Sequence, residues 1–418
     1  MDTIHIRGGN PLFGETKVQG SKNAVLPIMA AALLIEGTSV IRNCPRISDV
    51  YQMQTLLEDI GCKVTWGDRS LEINASRVNE KVMNGEAVTE MRSSIMLLGA
   101  MLGRIGEVSL VHPGGCVIGE RPIDLHLEAL RKMGVTIQEE ECSFTAVADR
   151  LTGGEIRLPI ASVGATENVL LSAVKADGVT VLKNAAKEPE IVALCNFLIR
   201  AGAEIDGAGT DTLKIKGVKS LHPTEFSVPP DRIVAGTYLA GVLGAGGHVF
   251  LEDAPVEHME AMIAVAGRMG AEIYVGNRGM SVIMEQAPKP VPYLKTEVYP
   301  GFPTDMQSLF MAALTRAKGY SVLEEDIFEN RFRIVPELQR MGADIAVDDK
   351  KAVIQGKACL KGTYVTAEEL RGGAALVIAG CMAEGETIVG NRHFISRGYE
   401  DIVRDLRNLG VKINVQSN

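Results

Sequence analysis

Leu198-Ile199-Arg200-Ala201-Gly202-Ala203-Glu204-Ile205 places a glycine after an apolar residue, and that glycine opens a short branched run. The same arrangement stands at residues 57–64, 130–137, 266–273, 338–345 and 406–413. Its glycines, Gly61, Gly134, Gly202, Gly270, Gly342 and Gly410, are 73, 68, 68, 72 and 68 residues apart. A fixed period of this length means one structural unit copied six times. A site can then be sought by asking what each copy puts in the same place.

A second series keeps step with the first: Gly37, Gly106, Gly178, Gly247, Gly319 and Gly385. Each follows a stretch rich in Ala, Leu and Met and precedes a β-branched run, as in Gly178-Val179-Thr180-Val181-Leu182. The stretches, 24–35, 95–105, 168–176, 233–243, 306–317 and 374–383, are nearly free of charge. A helix apolar on all sides belongs inside a protein, and a glycine after it suits a left-handed helix end. Residues 124–133, 190–201 and 399–409 instead alternate charged and apolar residues at helical spacing, so they predict helices with one solvent face.

Each unit therefore reads as buried helix, strand, amphipathic helix, strand, with sheets outside and apolar helices within. At 418 residues a single core is not expected, because cores stop growing at roughly 250–300 residues. Six units divide as three and three. The expectation is an α/β protein of two lobes, one spanning 20–229 and the other 1–19 plus 230–418, with the strand Thr3-Ile4-His5-Ile6-Arg7 pairing into the second half.

The net charge of −9 argues against nucleic acid as a partner. No apolar run is long enough to span a bilayer, and the Met1-Asp2-Thr3 start does not open a signal peptide. Seven scattered cysteines without a Cys-x-x-Cys pair fit reduced thiols in a cytoplasmic protein. No residue cluster has metal-ligand spacing, so no metal is expected.

Counting back 14 or 15 residues from each glycine of the second series reaches Lys22, Arg92, Gly164, Arg232, Asp305 and Arg371. Four of these six are cationic and one is a carboxylate, all at or near the starts of apolar helices. Helix N-termini present free N–H groups and a positive dipole end, so they favour anions. Parallel helices would gather these ends on one face of each lobe, a setting suited to substrates carrying phosphate and carboxylate groups. One further segment, residues 112–122, breaks the rhythm with five turn formers around Cys116. A thiol in such a loop near Arg121 is a candidate for a lowered pKa and reactivity.

Ser21-Lys22-Asn23-Ala24, Met91-Arg92-Ser93-Ser94, Pro113-Gly114-Gly115-Cys116, Arg121-Pro122-Ile123-Asp124-Leu125, Ser162-Val163-Gly164-Ala165-Thr166, Pro303-Thr304-Asp305-Met306-Gln307, Phe328-Glu329-Asn330-Arg331-Phe332 and Arg397-Gly398-Tyr399-Glu400 stand in this order along the chain. Together they resemble the UDP-N-acetylglucosamine 1-carboxyvinyltransferase family, the enolpyruvyl transferases that begin peptidoglycan synthesis and so serve cell shape and division. The resemblance covers essentially the whole chain. The sibling shikimate-type transferases share the six-unit architecture but not the Pro-Gly-Gly-Cys loop. That sibling activity, or an inactive paralogue, is the alternative.

The resemblance implies a two-lobe inside-out α/β barrel of six repeated units, three per lobe, that closes on phosphoenolpyruvate and UDP-N-acetylglucosamine without a cofactor. It implies Cys116 as the general acid and covalent-adduct residue, and as the point where fosfomycin would alkylate. It implies Asp305 as the base. Lys22, Asn23, Arg121 and Arg397 would hold phosphoenolpyruvate, and Arg331 and Arg371 its carboxylate or the intermediate. The nucleotide sugar would meet Arg92, Arg121, Pro122, Ile123, Asp124, Leu125, Ser162, Val163, Gly164, Asp305 and Ile327. Two departures stand out. Ile160-Ala161 precede Ser162 where some members carry a lysine, and Glu369 replaces a usual aspartate with one methylene more of reach.

Overall fold

The computed structural model describes residues 2–83, 92–111, 119 and 123–417. Both glycine series lie in the left-handed half of backbone space, with φ between 79° and 141° at all twelve positions. A side chain at φ > 0 is strained, and glycine alone takes such values freely. The glycines thus end one element and turn the chain into the next at the same point of each copy.

The stretches before the second series are helices: α1 (Lys22–Ala32), α2 (Met96–Ile105), α3 (Val163–Ala173), α4 (Arg232–Ala245), α5 (Gln307–Leu314) and α6 (Leu370–Met382). Nearly every residue in them is buried, except for Val163 and Gly164 at the start of α3 and residues 103–105 at the end of α2. The helix at Pro189–Arg200 is more enclosed than its charge pattern predicts, exposing only Asn196, Ile199 and Arg200.

Among the described residues six four-stranded sheets share one pairing plan, a parallel edge pair followed by two antiparallel pairs. In one of them Thr38–Arg42 lies parallel to Glu225–Ser227 and antiparallel to Ser70–Asn74, which pairs antiparallel with Lys63–Trp66. The sixth sheet borrows a strand. Thr3–Arg7 sits between Glu386–Gly390 and Lys412–Gln416, antiparallel to both. It takes the place that a local hairpin strand holds in the other copies.

The chain forms two compact units, one from residues 2–19 and 230–417, the other from 20–83, 92–111 and 123–229. Each has its own apolar core. In the 230–417 unit α4, α5 and α6 pack pairwise against one another. In the 20–229 unit α2 and α3 approach so closely that a Cβ at Gly99 would lie 2.4 Å from the Asn168 carbonyl oxygen. Among the described residues no helix is long and apolar enough to cross a membrane, and no three His, Cys, Asp or Glu side chains group as metal ligands.

Candidate active site

The helix starts hold the polar residues that the repeat singles out. In the 20–229 unit, Ser21 caps α1 with its Oγ accepting from Ala24 N at 3.4 Å, a standard way to satisfy a free N–H of the first turn. The next residue, Lys22, is buried and sets its Nζ 2.6 Å from Asp49 Oδ2, whose residue is fully buried. Ser162 caps α3 in the same way, accepting from Ala165 N at 3.3 Å. Arg92 opens the turn Arg92–Ile95 that leads into α2.

Asn168 ties these starts together. Its Oδ1 accepts from Gly99 N at 2.7 Å, and its Nδ2 donates to the Ile95 carbonyl at 3.0 Å and to His126 Nδ1 at 2.8 Å. His126 belongs to the helix Asp124–Arg131 and packs on Gly164, where a Cβ would meet its Cε1 at 2.7 Å. This brings Ile123, Asp124 and Leu125 beside Ser162, Val163 and Gly164. Asn23 stands half-buried next to Lys22. Cys116, Arg121 and Pro122 lie outside the described residues.

In the 230–417 unit, Asp231 caps α4 through Oδ1, which accepts from Ile233 N at 2.8 Å and Val234 N at 3.1 Å. Glu369 caps α6, with its carboxylate accepting from Arg371 N at 2.8 Å and from Gly372 N. The longer glutamate is therefore engaged by the helix start that carries Arg371. Asp305 sits in the turn before α5, between two guanidinium groups. Arg331 Nη2 donates to its Oδ1 at 2.5 Å, and Arg371 Nη2 to its Oδ2 at 3.2 Å. Arg331 Nη1 lies 3.8 Å from Glu369 Oε2.

Both arginine side chains are nearly inaccessible, at 3% and 4% exposure, whereas Asp305 keeps 26%. Arg331 Nε and Arg371 Nη1 are buried with no hydrogen-bond partner among the described residues. Burial opposes the Arg371 charge, but Asp305, Tyr399 and Asp231 outweigh it and hold the guanidinium protonated more firmly than usual. Tyr399 lies under Arg371, with its ring centre 5.9 Å from Cζ, and shares a 2.7 Å hydrogen bond with Thr237 of α4.

Ile327 is tied to Thr304, the residue before Asp305, through a residue the sequence does not flag. Glu325, 2% exposed, accepts from Thr304 Oγ1 at 2.7 Å, from Ile327 N at 2.8 Å and from Phe328 N at 3.2 Å. Asp49, Asn168 and His126 are likewise missed by motif reading, because their partners are remote in sequence. Arg397 follows the short helix Arg392–Ile395 and is half-buried.

The described cysteines at 62, 195 and 381 are buried, and burial pushes each thiol up to about 12. They are unreactive near neutrality, since the thiolate is the nucleophile.

The Lys22–Asp49 pair sets an expectation. Removing one partner of a buried ion pair leaves an uncompensated charge and costs about 3–5 kcal/mol. Asp49→Ala is expected to lower the unfolding free energy by at least the lower end of that range, read from denaturant titration. An unchanged midpoint would contradict the pairing.

The profile of the family described as EPSP synthase (3-phosphoshikimate 1-carboxyvinyltransferase) matches residues 6–406. UDP-N-acetylglucosamine 1-carboxyvinyltransferase 2 of Caldanaerobacter subterraneus subsp. tengcongensis is 47% identical over 413 residues, covering 99% of both chains. UDP-N-acetylglucosamine 1-carboxyvinyltransferase 1 of Halalkalibacterium halodurans is 44% identical over 415 residues, 99% of this chain and 94% of that one. Among solved structures, the enolpyruvyl transferase NikO from Streptomyces tendae superposes with a TM-score of 0.89 at 27% identity, covering 100% of this chain and 99% of its own.

Proposed function

The chain belongs to the enolpyruvyl transferase family that the EPSP synthase profile describes, on its UDP-N-acetylglucosamine 1-carboxyvinyltransferase branch, and from that premise we propose how its residues carry out the reaction. The enzyme moves the enolpyruvyl group of phosphoenolpyruvate to the 3′-hydroxyl of UDP-N-acetylglucosamine and releases phosphate, the first committed step of peptidoglycan synthesis. One observation carries the assignment of roles: a carboxylate, Asp305, a quarter accessible and held by two buried arginines that each keep a nitrogen without a hydrogen-bond partner among the described residues. Such nitrogens are donors for an anion, and arginine forks match carboxylates in two-point geometry.

The steps balance without a redox partner. The Cys116 thiol gives its proton to the methylene carbon of phosphoenolpyruvate, leaving cationic character on the adjacent carbon. The sugar hydroxyl attacks that carbon while Asp305 takes its proton, forming a tetrahedral ketal. The methyl group then returns a proton to the Cys116 thiolate as the carbon–oxygen bond to the phosphate breaks, which restores the alkene, and the departing phosphate carries away the proton held by Asp305. Lys22, Asn23, Arg121 and Arg397 hold the phosphate side, and Arg331 and Arg371 the carboxylate. Ile123–Leu125 and Ser162–Gly164 receive the nucleotide sugar together with Arg92, Pro122 and Ile327.

The Asp305 geometry gives the sequence of events a physical reason. A substrate carboxylate competes with Asp305 for the same two forks. Its arrival loosens Asp305 from Arg331 and Arg371 and turns a salt-bridged carboxylate into an available base, which must come within about 3 Å of the hydroxyl. Fosfomycin is read as alkylating Cys116. The cytoplasm is the proposed location, in keeping with six free cysteines among the described residues.

The test is phosphate release from phosphoenolpyruvate with each acceptor in turn. Release that depends on UDP-N-acetylglucosamine and not on 3-phosphoshikimate is the expected result. The reverse dependence would overturn the reading.

A further inference from the structure

We propose that Gln19 is a positioning residue for Arg397, an inference that rests on the reading of Arg397 as a phosphoenolpyruvate contact. Gln19 is 3% exposed. Its side-chain Nε2 donates to the Gly398 carbonyl at 3.1 Å, and its Oε1 accepts from Glu400 N at 2.7 Å. These two peptide groups flank Tyr399 and begin one residue beyond Arg397. A primary amide presents a donor and an acceptor side by side, so one glutamine meets both groups at once. Neither a leucine nor a carboxylate of the same size does so.

Gln19 is itself fixed. Its carbonyl accepts from Asp231 N at 2.8 Å, at the capped start of α4. The turn is held on its other sides as well. Gly398 packs on Leu370, where a Cβ would lie 2.8 Å from Cδ2, and the Tyr399 hydroxyl bonds Thr237. Leu370 directly precedes Arg371. Thus α4 and α6 place the turn, while Gln19 sets the orientation of the peptide planes at 398–400. Arg397 stands one peptide upstream of those planes, and the proposal is that their tilt sets the direction of its guanidinium.

The glutamine is buried among groups that need it, and no apolar core demands a polar residue there. A purely architectural role would affect both substrates alike. A positioning role is selective: it changes the contacts of Arg397 and leaves the nucleotide-sugar contacts alone.

The experiment is steady-state kinetics on Gln19→Leu and Gln19→Glu, alone and combined with Arg397→Ala. Losing two hydrogen bonds worth about 1 kcal/mol each raises the KM for phosphoenolpyruvate in Gln19→Leu by roughly tenfold or more. The KM for UDP-N-acetylglucosamine stays within about twofold, a shift that corresponds to less than one such bond. Gln19→Glu keeps the acceptor for Glu400 N, loses the donor to Gly398, and falls between wild type and Gln19→Leu. It also serves as the test should the leucine variant fail to fold.

In the Arg397→Ala background Gln19→Leu adds no further loss in kcat/KM for phosphoenolpyruvate, because residues acting as one unit are not additive. Equal losses for both substrates, full additivity with Arg397→Ala, or a wild-type KM for phosphoenolpyruvate in both variants would overturn the assignment. A wild-type enzyme lacking UDP-N-acetylglucosamine-dependent phosphate release would instead overturn the functional reading beneath it.

Discussion

Asp305→Ala is expected to lower the initial rate of phosphate release by roughly 10²–10⁴ while the chain remains folded, the range for loss of a positioned general base. Asp305 meets both the Arg331 and Arg371 guanidinium groups yet stays a quarter exposed. Its removal leaves two buried cations facing each other, so a stability loss accompanies the rate loss. That loss stays within the roughly 5–15 kcal/mol that holds a domain together. Phosphoenolpyruvate supplies a replacement carboxylate to the same forks, so it should raise the melting temperature of the variant more than that of wild type. Unchanged initial rates would count against Asp305 as the base. A variant stabilised no more than wild type would count against competition for the forks.

Cys116→Ser is expected to reduce turnover by a similar factor of roughly 10²–10⁴, with nucleotide-sugar affinity largely intact. A general acid works best when its pKa lies near the operating pH. A thiol ionises at about 8.5, whereas a serine hydroxyl holds its proton far too tightly to give it to an alkene carbon. Cys116→Asp restores an ionisable donor and removes the sulfur, so it should retain turnover and lose fosfomycin sensitivity. Normal rates in the serine variant would refute the acid assignment. Persistent sensitivity in the aspartate variant would refute the alkylation site.

The architecture is legible because it is repeated. Twelve glycines recur in two phased series, and every one adopts positive φ, so a local backbone demand appears in the sequence as a period. Burial of the six inner helices follows from their lack of charge. Thr3–Arg7 is readable as a strand, but its partners come from the far end of the chain, and its register against Glu386–Gly390 and Lys412–Gln416 has no local signal.

The same division runs through the site. Lys22, Asp305 and Arg371 emerge from counting equivalent positions, since the repeat itself delivers them to helix starts. Arg331 and Arg397 lie outside that count and are reached through family motifs. Asp49, Glu325, Asn168 and Gln19 are invisible to both. Each acts through a side chain that meets a group brought close by tertiary packing. Asp49 reaches Lys22 across 27 residues of chain, by subtraction of their numbers, and Gln19 reaches Glu400 across 381. Glu369 illustrates the remaining limit. Its substitution for aspartate is plain in the sequence, but its engagement as the cap of α6 is a matter of geometry.

The most direct measurement is to supply phosphoenolpyruvate labelled with carbon-13 together with UDP-N-acetylglucosamine and to locate the label by NMR after phosphate has been released. The account predicts a labelled enolpyruvyl ether on the sugar 3′-oxygen, formed in step with inorganic phosphate. Label recovered as free pyruvate, or phosphate released with no labelled nucleotide sugar, would contradict it.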